Sequence, residues 1–408
     1  MPTSIKCRNC KTKNVKKVFD LGKLYYSGKF PVNKKVKIGK GELGLSFCKK
    51  CTLVQLNKSY NTNYLFSKDY GYKTGINFTM KNHMKNIHNI LTKKIKLKKN
   101  DYIMDIASND GTLLNLFNDN LNKVGVDPIL SRYREEYKKV KYKISDFFSY
   151  RVLRRRKINK KFKIITALSV FYDLDNPNNF LKDLEKVLDD DGICLIEHAD
   201  LYSIIKFNMF DTICHEHVAY YSTQIMINMA KKNNLKVFDL KSNDINGGST
   251  QYFICKKNAN INVNYKTLKK YINKEKSIGV SKFKTIVNFY KKIEQKKIST
   301  LKLLNSLRKR NKKIYGYGAS TKGNVLLQYY GIDNQLIPMI ADRNPYKYGR
   351  FTPGSLIKIV SEKAIRKLRP NYLFVLPWHF KKEIIQREKQ IRKKGAKFIF
   401  PLPNLRII

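Results

Sequence analysis

Short apolar runs and amphipathic stretches alternate along this chain, and the two patterns predict different elements. The runs over residues 102–106, 162–174 and 192–201 hold few polar positions, as is typical of strands buried inside a parallel sheet. Elsewhere apolar residues recur three or four positions apart, which predicts helices; the clearest set is Met80, Met84, Ile87 and Leu91. Strands that alternate with helices favour an α/β doubly wound sheet, whose ligand lies beyond the carboxyl ends of the strands.

The same alternation returns in the last third of the chain. A Gly-Gly turn at 247–248 precedes a strand over 250–255, and a Lys-rich helical stretch follows over 266–310. The segment KKIYGYGASTKGN then predicts a strand, a glycine-rich loop and a helix, and the next strand ends at Asp342. We therefore expect a second, Rossmann-like module at the C-terminus, and three domains in all: 1–66, 67–240 and 241–408.

Charge does not by itself decide the function. Of the 408 residues, 83 are Lys or Arg and 31 are Asp or Glu, which gives a formal net charge of +52. A nucleic-acid binder is one interpretation of so basic a chain. Only 16 of the cations are Arg, and the lysines are spread along the whole sequence, so a compositional bias is the favoured interpretation. We expect the two densest segments, 93–99 and 151–161, to be solvated surface, and no obligate nucleic-acid partner.

Neither a membrane span nor a secretion signal is expected. No apolar run approaches the roughly 18 residues that a spanning helix needs, and the N-terminal sequence MPTSIKCRNC lacks an apolar core. These features predict a cytoplasmic protein without a membrane partner.

Four of the seven cysteines form two pairs, Cys7-x2-Cys10 and Cys48-x2-Cys51, which are separated by 37 residues. Each pair can bring two thiolates to one ion from a tight turn, and two pairs complete a tetrahedral Zn²⁺ site. Because four protein ligands leave no open position, we expect a structural zinc ion. A redox pair or unpaired thiols are the alternatives. The three remaining cysteines stand alone in apolar surroundings and are expected to be core residues.

The strand over 102–106 ends in a polar turn, Ser108-Asn109-Asp110-Gly111, and a helix is predicted to begin near Thr112. This order of strand, loop and helix is one in which backbone amides meet a ligand, although it matches neither G-x-G-x-x-G nor a Walker loop. About 20 residues further on, a second strand ends at Asp127, which is placed to accept hydrogen bonds from ribose hydroxyls.

The motifs DIASNDGTLL, VGVDP and SDFF resemble those of class I S-adenosylmethionine (SAM) methyltransferases. The whole chain is similar to the three-domain sugar methyltransferases typified by NDP-hexose C-methyltransferases, through YGYKTGINF, DTICHEHVAYYS, INGGS, YGYGASTKGN and LPWHF. The resemblance implies a zinc domain, a SAM-binding class I domain and a Rossmann-like C-terminal domain. It implies that SAM is surrounded by Asp105, Ser108, Asn109, Gly111 and Asp127, with Asp146 and Phe147 near the adenine.

The segment Cys214-His215-Glu216-His217 carries the second group of candidate residues. In an extended conformation the two histidines share a face and Glu216 points away. From the residues alone, a metal site, a structural role and acid–base chemistry all remain open. The resemblance assigns His217 as general base, Glu216 as its support, and Tyr70 or Tyr72 as a neighbour of the substrate; His215 is a further candidate. The chain departs from the family by having Cys214 where a Tyr is usual, and Phe171-Tyr172 where some members have a His.

In the C-terminal module the residues with binding chemistry follow the predicted strand ends. Ser320 and Lys322 could bind phosphate, Asn324 follows them on the same helix, and Asp342 is again placed as a ribose acceptor. A glycine turn that serves only the fold is the alternative.

We therefore expect a SAM-dependent methyltransferase that acts on a nucleotide-linked deoxysugar, as a monomer or dimer. Methylation of carbon beside a keto group is favoured over methylation of oxygen. A nucleic-acid methyltransferase is a more distant alternative, because the chain lacks an N/D-P-P-Y/F-type motif and its basic residues are not concentrated on one module. A zinc-bearing nucleic-acid-binding protein is also more distant, because it leaves the Asn-Asp-Gly loop and the His-Glu-His segment unexplained.

Overall fold

The computed structural model describes residues 5–67 and 70–408. The N-terminal module is built on three antiparallel strands and a short helix: β1 (Val15–Tyr25), β2 (Lys40–Cys48), β3 (Val54–Leu56) and α1 (Thr62–Leu65). The longer helix α2 (Phe78–Lys94) follows the expected boundary at residue 66. The apolar residues that predicted α2 are all buried along one side of it. This helix packs its buried side against the middle module, so the first module is continuous with the second.

The strands of the middle module, in chain order, are β4 (Tyr102–Ile106), β5 (Asn122–Val126), β6 (Tyr142–Ile144), β7 (Phe162–Leu168), β8 (Leu188–Ala199), β9 (Ala219–Tyr220), β10 (Leu235–Asn243) and β11 (Ser249–Lys256). Its helices lie between them: α3 (Tyr150–Arg155), α4 (Pro177–Val187), α5 (Leu201–Lys206) and α6 (Thr223–Lys232). Seven strands form one sheet in the order β10-β11-β8-β7-β4-β5-β6.

Strand direction identifies this sheet. The pairs β8–β7, β7–β4, β4–β5 and β5–β6 are parallel. Strand β11 is the last of these seven strands in chain order, and it lies between β8 and β10 and is antiparallel to both. This arrangement confirms the class I methyltransferase sheet that the sequence predicted.

Two predicted elements of the middle module differ in the structure. No α-helix lies between β4 and β5; the chain there makes turns and a single 3-10 turn over Leu114–Leu116. The helix expected near Thr112 is therefore wrong. The stretch after Leu113 is rich in Asn and Asp, whose side chains compete with a helical backbone. The run over 162–174 is also interrupted, because β7 ends at Leu168 and a 3-10 turn covers Phe171–Asp173.

The modules share strands across the expected boundaries. The two-residue strand β9 pairs with β3, so it completes the N-terminal sheet in the order β1-β2-β3-β9. Strand β10 crosses residue 240, and β11 belongs to the methyltransferase sheet, which therefore continues to Lys256.

The C-terminal module begins with two helices, α7 (Tyr265–Ser277) and α8 (Phe283–Lys309), which occupy the predicted helical stretch. A second sheet follows: β12 (Ile314–Tyr317), β13 (Met339–Asp342), β14 (Lys358–Ser361), β15 (Tyr372–Val375), β16 (Lys397–Phe400) and β17 (Arg406–Ile407). Its helices are α9 (Thr321–Tyr330), α10 (Glu362–Lys367), α11 (Lys381–Arg387) and α12 (Lys389–Lys393). The order β14-β13-β12-β15-β16-β17 is parallel except for β17, which confirms the Rossmann-like module.

The two densest basic segments lie on the surface, as expected. Every Lys and Arg of the segments 93–99 and 151–161 is exposed. Among the residues that the structure describes, no helix is both long and apolar enough to cross a membrane.

Candidate active site

A cavity of about 510 Å³ lies where the carboxyl ends of the two parallel sheets meet. The methyltransferase sheet contributes residues from the ends of β4, β5, β7 and β8, and the C-terminal sheet contributes residues from the ends of β12 and β13. The loop over 70–77 lines a third side. Ligands of doubly wound sheets bind at these ends, so one cavity serves both modules.

On the methyltransferase side, two carboxyl groups stand at neighbouring strand ends. Asp105 ends β4 and accepts a hydrogen bond of 2.6 Å from the Thr166 hydroxyl. Asp127 follows β5 and accepts backbone N–H bonds from Asn109 at 2.9 Å and from Ile129 at 2.8 Å. Burial raises the pKa of Asp105 to about 7 and that of Asp127 to about 6. Each Asp127 oxygen keeps a second lone pair, so the ionised group can accept further hydrogen bonds inside the cavity.

The polar turn after β4 holds the 70–77 loop in place. The side-chain oxygen of Asn109 accepts the Thr74 N–H at 2.9 Å, and Asp110 accepts the Gly75 N–H at 2.7 Å. Asn109 adopts a left-handed conformation with φ of 52°, which Asn tolerates better than most residues. The turn therefore places the tyrosine-bearing loop over the strand ends.

The His-Glu-His segment is a turn and not the extended stretch that the sequence suggested. The His217 N–H donates to the Cys214 carbonyl at 3.1 Å, and this reverses the direction of the chain. As a result Glu216 and His217 both line the cavity, while His215 points to the N-terminal sheet. His215 there lies 3.1 Å from the Gly41 carbonyl and packs edge-on against Tyr26 and Tyr60.

The protonation pattern of the His217 ring follows from its one close partner. Nδ1 lies 2.7 Å from the Thr212 carbonyl oxygen, which can only accept, so Nδ1 carries the proton and Nε2 carries the lone pair. Burial, assisted by the positive charge of Lys322, lowers the pKa of His217 to about 3. The imidazole is consequently neutral at physiological pH, with Nε2 as its unprotonated nitrogen.

Glu216 and Tyr70 lie close together near Gly28. Glu216 is 3% exposed, and the Ser27 hydroxyl donates a hydrogen bond to it at 3.4 Å. A Cβ atom at Gly28 would lie 2.9 Å from Glu216 Oε1 and 3.2 Å from the Tyr70 ring, so glycine is required there. Burial raises the pKa of Tyr70 well above its usual range, and the nearby Glu216 charge adds to this; burial raises that of Tyr72 to about 12. Both tyrosines remain hydroxyl donors.

The C-terminal module adds a cation and a helix terminus. Ser320 caps α9 by accepting the Gly323 N–H at 3.0 Å, and Lys322 donates to the Asn246 carbonyl at 3.1 Å. Asp342 lines the cavity, but its carboxylate already binds the Lys347 ammonium at 3.3 Å. Asn324 does not line the cavity; it is fully buried and donates to the Ser27 carbonyl at 2.7 Å.

The glycines of the loop before α9 serve packing. A Cβ atom at Gly316 would meet Ile340, one at Gly318 would meet Pro377, and one at Gly323 would meet Leu376, all within 2.7 Å. The loop therefore lets α9 approach β13 and β15, which supports the fold-only interpretation of these glycines.

The four paired cysteines lie at the end of β2 and in the turns beside it. All four sulfur atoms are within 4.8 Å of one another, and the closest pairs, Cys7–Cys51 and Cys10–Cys48, are 3.5 and 3.6 Å apart. A tetrahedral zinc ion with bonds of about 2.3 Å requires sulfur separations of about 3.8 Å. The residues therefore fit a structural Zn²⁺ ion.

Three family models match the chain in the order of its modules. They are described as "Putative zinc binding domain" over residues 7–66, "Methyltransferase domain" over 80–240 and "C-methyltransferase C-terminal domain" over 244–403. The chain belongs to the three-domain SAM-dependent C-methyltransferases. The C-methyltransferase NovU of Streptomyces niveus is 27% identical over 368 residues, which cover 90% of this chain and 87% of NovU.

Two solved structures resemble the middle module. A SAM-dependent methyltransferase from Clostridium acetobutylicum is 14% identical with a TM-score of 0.33, and covers 42% of this chain and 90% of its own. The plantazolicin methyltransferase BamL is 12% identical with a TM-score of 0.36, and the match covers 44% of this chain and 86% of BamL. At these scores neither structure adds to the assignment.

This C-methyltransferase uses SAM, and the cavity has donors and acceptors that suit it. Of the seven residues that the sequence proposed for SAM, five line the cavity: Asp105, Ser108, Asn109, Asp127 and Phe147. Two do not. Gly111, at φ of 72°, makes room for the Tyr137 ring, and Asp146 forms an ion pair of 3.2 Å with Arg155 near the surface.

Several cavity residues were not among the sequence candidates. Asp173 follows the end of the fourth strand of the methyltransferase sheet, and Tyr172 packs on His217 with ring centroids 4.0 Å apart. On the opposite wall, Arg343 and Arg387 both bind Glu383, at 3.0 and 2.7 Å. Asp173 lay inside the run that was predicted as one strand, so the rule that ligands meet strand ends did not single it out. The contacts of Arg343, Glu383 and Arg387 join separate elements, which no local pattern predicts.

Proposed function

We propose that this C-methyltransferase methylates a carbon atom beside the keto group of a nucleotide-linked deoxysugar, with His217 as the general base. The observation that carries the proposal is the neutral His217 imidazole, which is held at Nδ1 by the Thr212 carbonyl and lines a cavity shared by the SAM-binding sheet and the C-terminal sheet. The similarity to a C-methyltransferase over most of both chains supports carbon as the acceptor.

Each residue has a role that its contacts support. Bound SAM supplies an electrophilic methyl group on a sulfonium sulfur. His217 removes the proton from the carbon beside the keto group, and the Thr212 carbonyl keeps the ring in the reactive tautomer. Glu216, which precedes His217 in the chain, is proposed as the support of this base. The Tyr70 and Tyr72 hydroxyls donate hydrogen bonds to oxygen atoms of the substrate. Asp127 would accept hydrogen bonds from the ribose hydroxyls of SAM.

The nucleotide diphosphate is proposed to lie against the C-terminal module. Lys322 has ammonium protons beyond the one that it donates to Asn246, and Ser320 stands beside it at the start of α9. Asp342 is a weaker candidate for a ribose, because Lys347 and the Asn344 N–H already occupy its oxygens. A reducing compartment such as the cytoplasm suits seven free cysteines of which four bind zinc.

Incubation with methyl-labelled SAM and a panel of UDP- and dTDP-linked sugars, with and without 4-keto groups, tests this proposal. We expect label only in the keto sugars, as a methyl group on carbon by NMR. His217→Ala should lower kcat by about 10²- to 10⁴-fold and leave binding of S-adenosylhomocysteine (SAH) unchanged. A methyl ether as product would make oxygen the acceptor, and label only in nucleic acid would defeat the proposal.

A further inference from the structure

Asp173 occupies a place in the cavity wall that the mechanism above does not use. It closes the 3-10 turn over Phe171–Asp173, which follows β7 at the carboxyl edge of the methyltransferase sheet. Its own N–H donates to the Val170 carbonyl at 2.9 Å, so the backbone of this turn is fixed. The side chain lines the cavity together with those of Glu216 and His217.

The Oδ1 atom of the Asp173 carboxyl group is buried and has no hydrogen-bond partner within the described part of the chain. Such a group is costly unless a ligand completes it, because a buried polar atom without a partner loses its hydration. Glu216 repeats the pattern nearby, since its Oε1 atom is also buried and unpaired among the described residues.

Burial raises the pKa of Asp173 well above its usual range, and the charge of the nearby Glu216 raises it further. This shift favours the neutral form of Asp173, which carries an O–H group. A neutral carboxyl group donates one hydrogen bond, and it binds most strongly to an oxygen that gains negative charge.

The turn that bears Asp173 is joined to the segment that bears His217. The Val218 N–H donates to the Tyr172 carbonyl at 2.8 Å, and the Tyr172 ring packs against the His217 imidazole. The acid and the base thus share one wall of the cavity and are held by neighbouring residues.

We propose that Asp173 is a catalytic residue whose neutral carboxyl group donates a hydrogen bond to the substrate keto oxygen. When His217 removes the adjacent proton, the C–H electron pair forms a C=C bond and the C=O π pair moves to oxygen. The proton rests on Nε2, and the enolate oxygen accepts the Asp173 hydrogen bond. This inference rests on the proposed function.

The test measures enolisation without methyl transfer. Wild-type protein, without SAM, is mixed in D2O with dTDP-linked 4-keto-6-deoxyglucose, and NMR follows the loss of the proton beside the keto group. Asp173→Ala should slow this exchange by about 10²- to 10³-fold. Asp173→Asn should stay within about tenfold of wild type, because its amide can still donate. Asp244→Asn, at an exposed position outside the cavity, serves as the control.

A pH profile separates a donor from a merely structural residue. Exchange by the wild type should decline at alkaline pH as Asp173 ionises, and the decline should be absent in Asp173→Asn. The titratable groups that act electrostatically on Asp173 are Tyr70, Tyr172, Cys214, Glu216, Tyr220 and Tyr221. Since these remain in Asp173→Asn, a decline that persists in this variant belongs to one of them and overturns the proposal.

Other outcomes also decide it. Equal losses in the Asn and Ala variants, with KM raised, would mean that Asp173 acts as a carboxylate, and normal exchange in Asp173→Ala would remove it from the reaction. SAH binding by each variant shows that the fold is retained. If the wild type neither exchanges nor methylates any keto sugar of the panel, the proposed function fails, and Asp173 loses its partner oxygen with it. If the wild type methylates a keto sugar and both Asp173 variants exchange the proton as fast as the wild type, the inference about Asp173 is refuted and the proposed function stands.

Discussion

The Asn324 side-chain amide donates a 2.7 Å hydrogen bond to the carbonyl oxygen of Ser27. The two residues lie 297 positions apart and are both fully buried, so the bond ties α9 of the C-terminal module to the N-terminal module. The Ser27 hydroxyl in turn contacts Glu216 in the cavity. This buried contact between the N-terminal and C-terminal modules therefore also supports the wall of the active site.

Removal of this contact should weaken the whole chain. Asn324→Ala leaves the Ser27 carbonyl unpaired in a buried place, which should lower the free energy of unfolding by about 1–3 kcal/mol. Urea unfolding followed by fluorescence of Trp378, the only tryptophan, measures the loss. Gln335→Ala, at an exposed position close by, should change nothing. Equal midpoints for Asn324→Ala and wild type would show that the contact is unimportant.

Asp127 and Asp146 form a matched pair for SAM binding, since one lines the cavity and the other does not. Asp127→Asn should weaken SAH binding about 10- to 100-fold, as expected for hydrogen bonds to a charged acceptor, whereas Asp146→Asn should leave it unchanged. Calorimetric titration gives both values. Comparable losses in the two variants would contradict this assignment of the cofactor site.

The same site should depend on pH. Burial raises the pKa of Asp127 to about 6, so the carboxyl group becomes protonated as the pH falls through that value and loses an acceptor. Affinity for SAH should therefore decrease from pH 7 to pH 5 in the wild type and stay nearly constant in Asp127→Asn. A steady wild-type affinity across this range would exclude an ionised Asp127 as the acceptor.

Lys322 should control the charge of His217. Its ammonium group contributes to the lowered pKa of about 3, so Lys322→Met should raise this pKa toward the usual value for histidine. With six histidines in the chain, NMR titration can follow the ring directly, and His217→Ala identifies its signal. Lys309→Met, at an exposed position, should leave the titration in place. An unchanged midpoint in Lys322→Met would show that burial alone lowers the pKa.

Loss of a zinc ligand should lower the zinc content and the thermal stability of the protein. Cys48→Ala removes one of four ligands, so bound zinc should fall from about one ion per chain to a small fraction, with a lower Tm. Cys255→Ala, a buried cysteine outside the cluster, should keep its zinc. Metal analysis and thermal unfolding of the two variants test this. Full zinc occupancy in Cys48→Ala would contradict the four-cysteine site.

Local patterns predicted the strands and helices well because each is encoded by neighbouring residues. The buried runs ending at Ile106 and Ala199, and the helical spacing around Ile87, correspond to β4, β8 and α2. The same reasoning failed near Thr112, where a propensity for turns outweighed the expected continuation of a strand–loop–helix unit.

Contacts between distant residues could not be predicted in this way. His215 and His217 differ in role because a turn at Cys214 separates them, and His215 then meets a carbonyl 174 positions away. Asn324 was chosen for its place beside Lys322, yet it faces Ser27 and not the cavity. Asp173 was overlooked because a lone Asp after an apolar run has no distinctive spacing, and only the fold places it beside Glu216.

The pairing of β9 with β3 has a consequence for protein engineering. The edge of the N-terminal sheet is completed by two residues, Ala219 and Tyr220, which follow His217 by only two positions. A zinc module exchanged between relatives would therefore have to match a strand encoded in the catalytic segment. Chimeras that join cleanly at a linker near residue 66 would inherit a mismatched edge, and successful ones would need to transfer both pieces together.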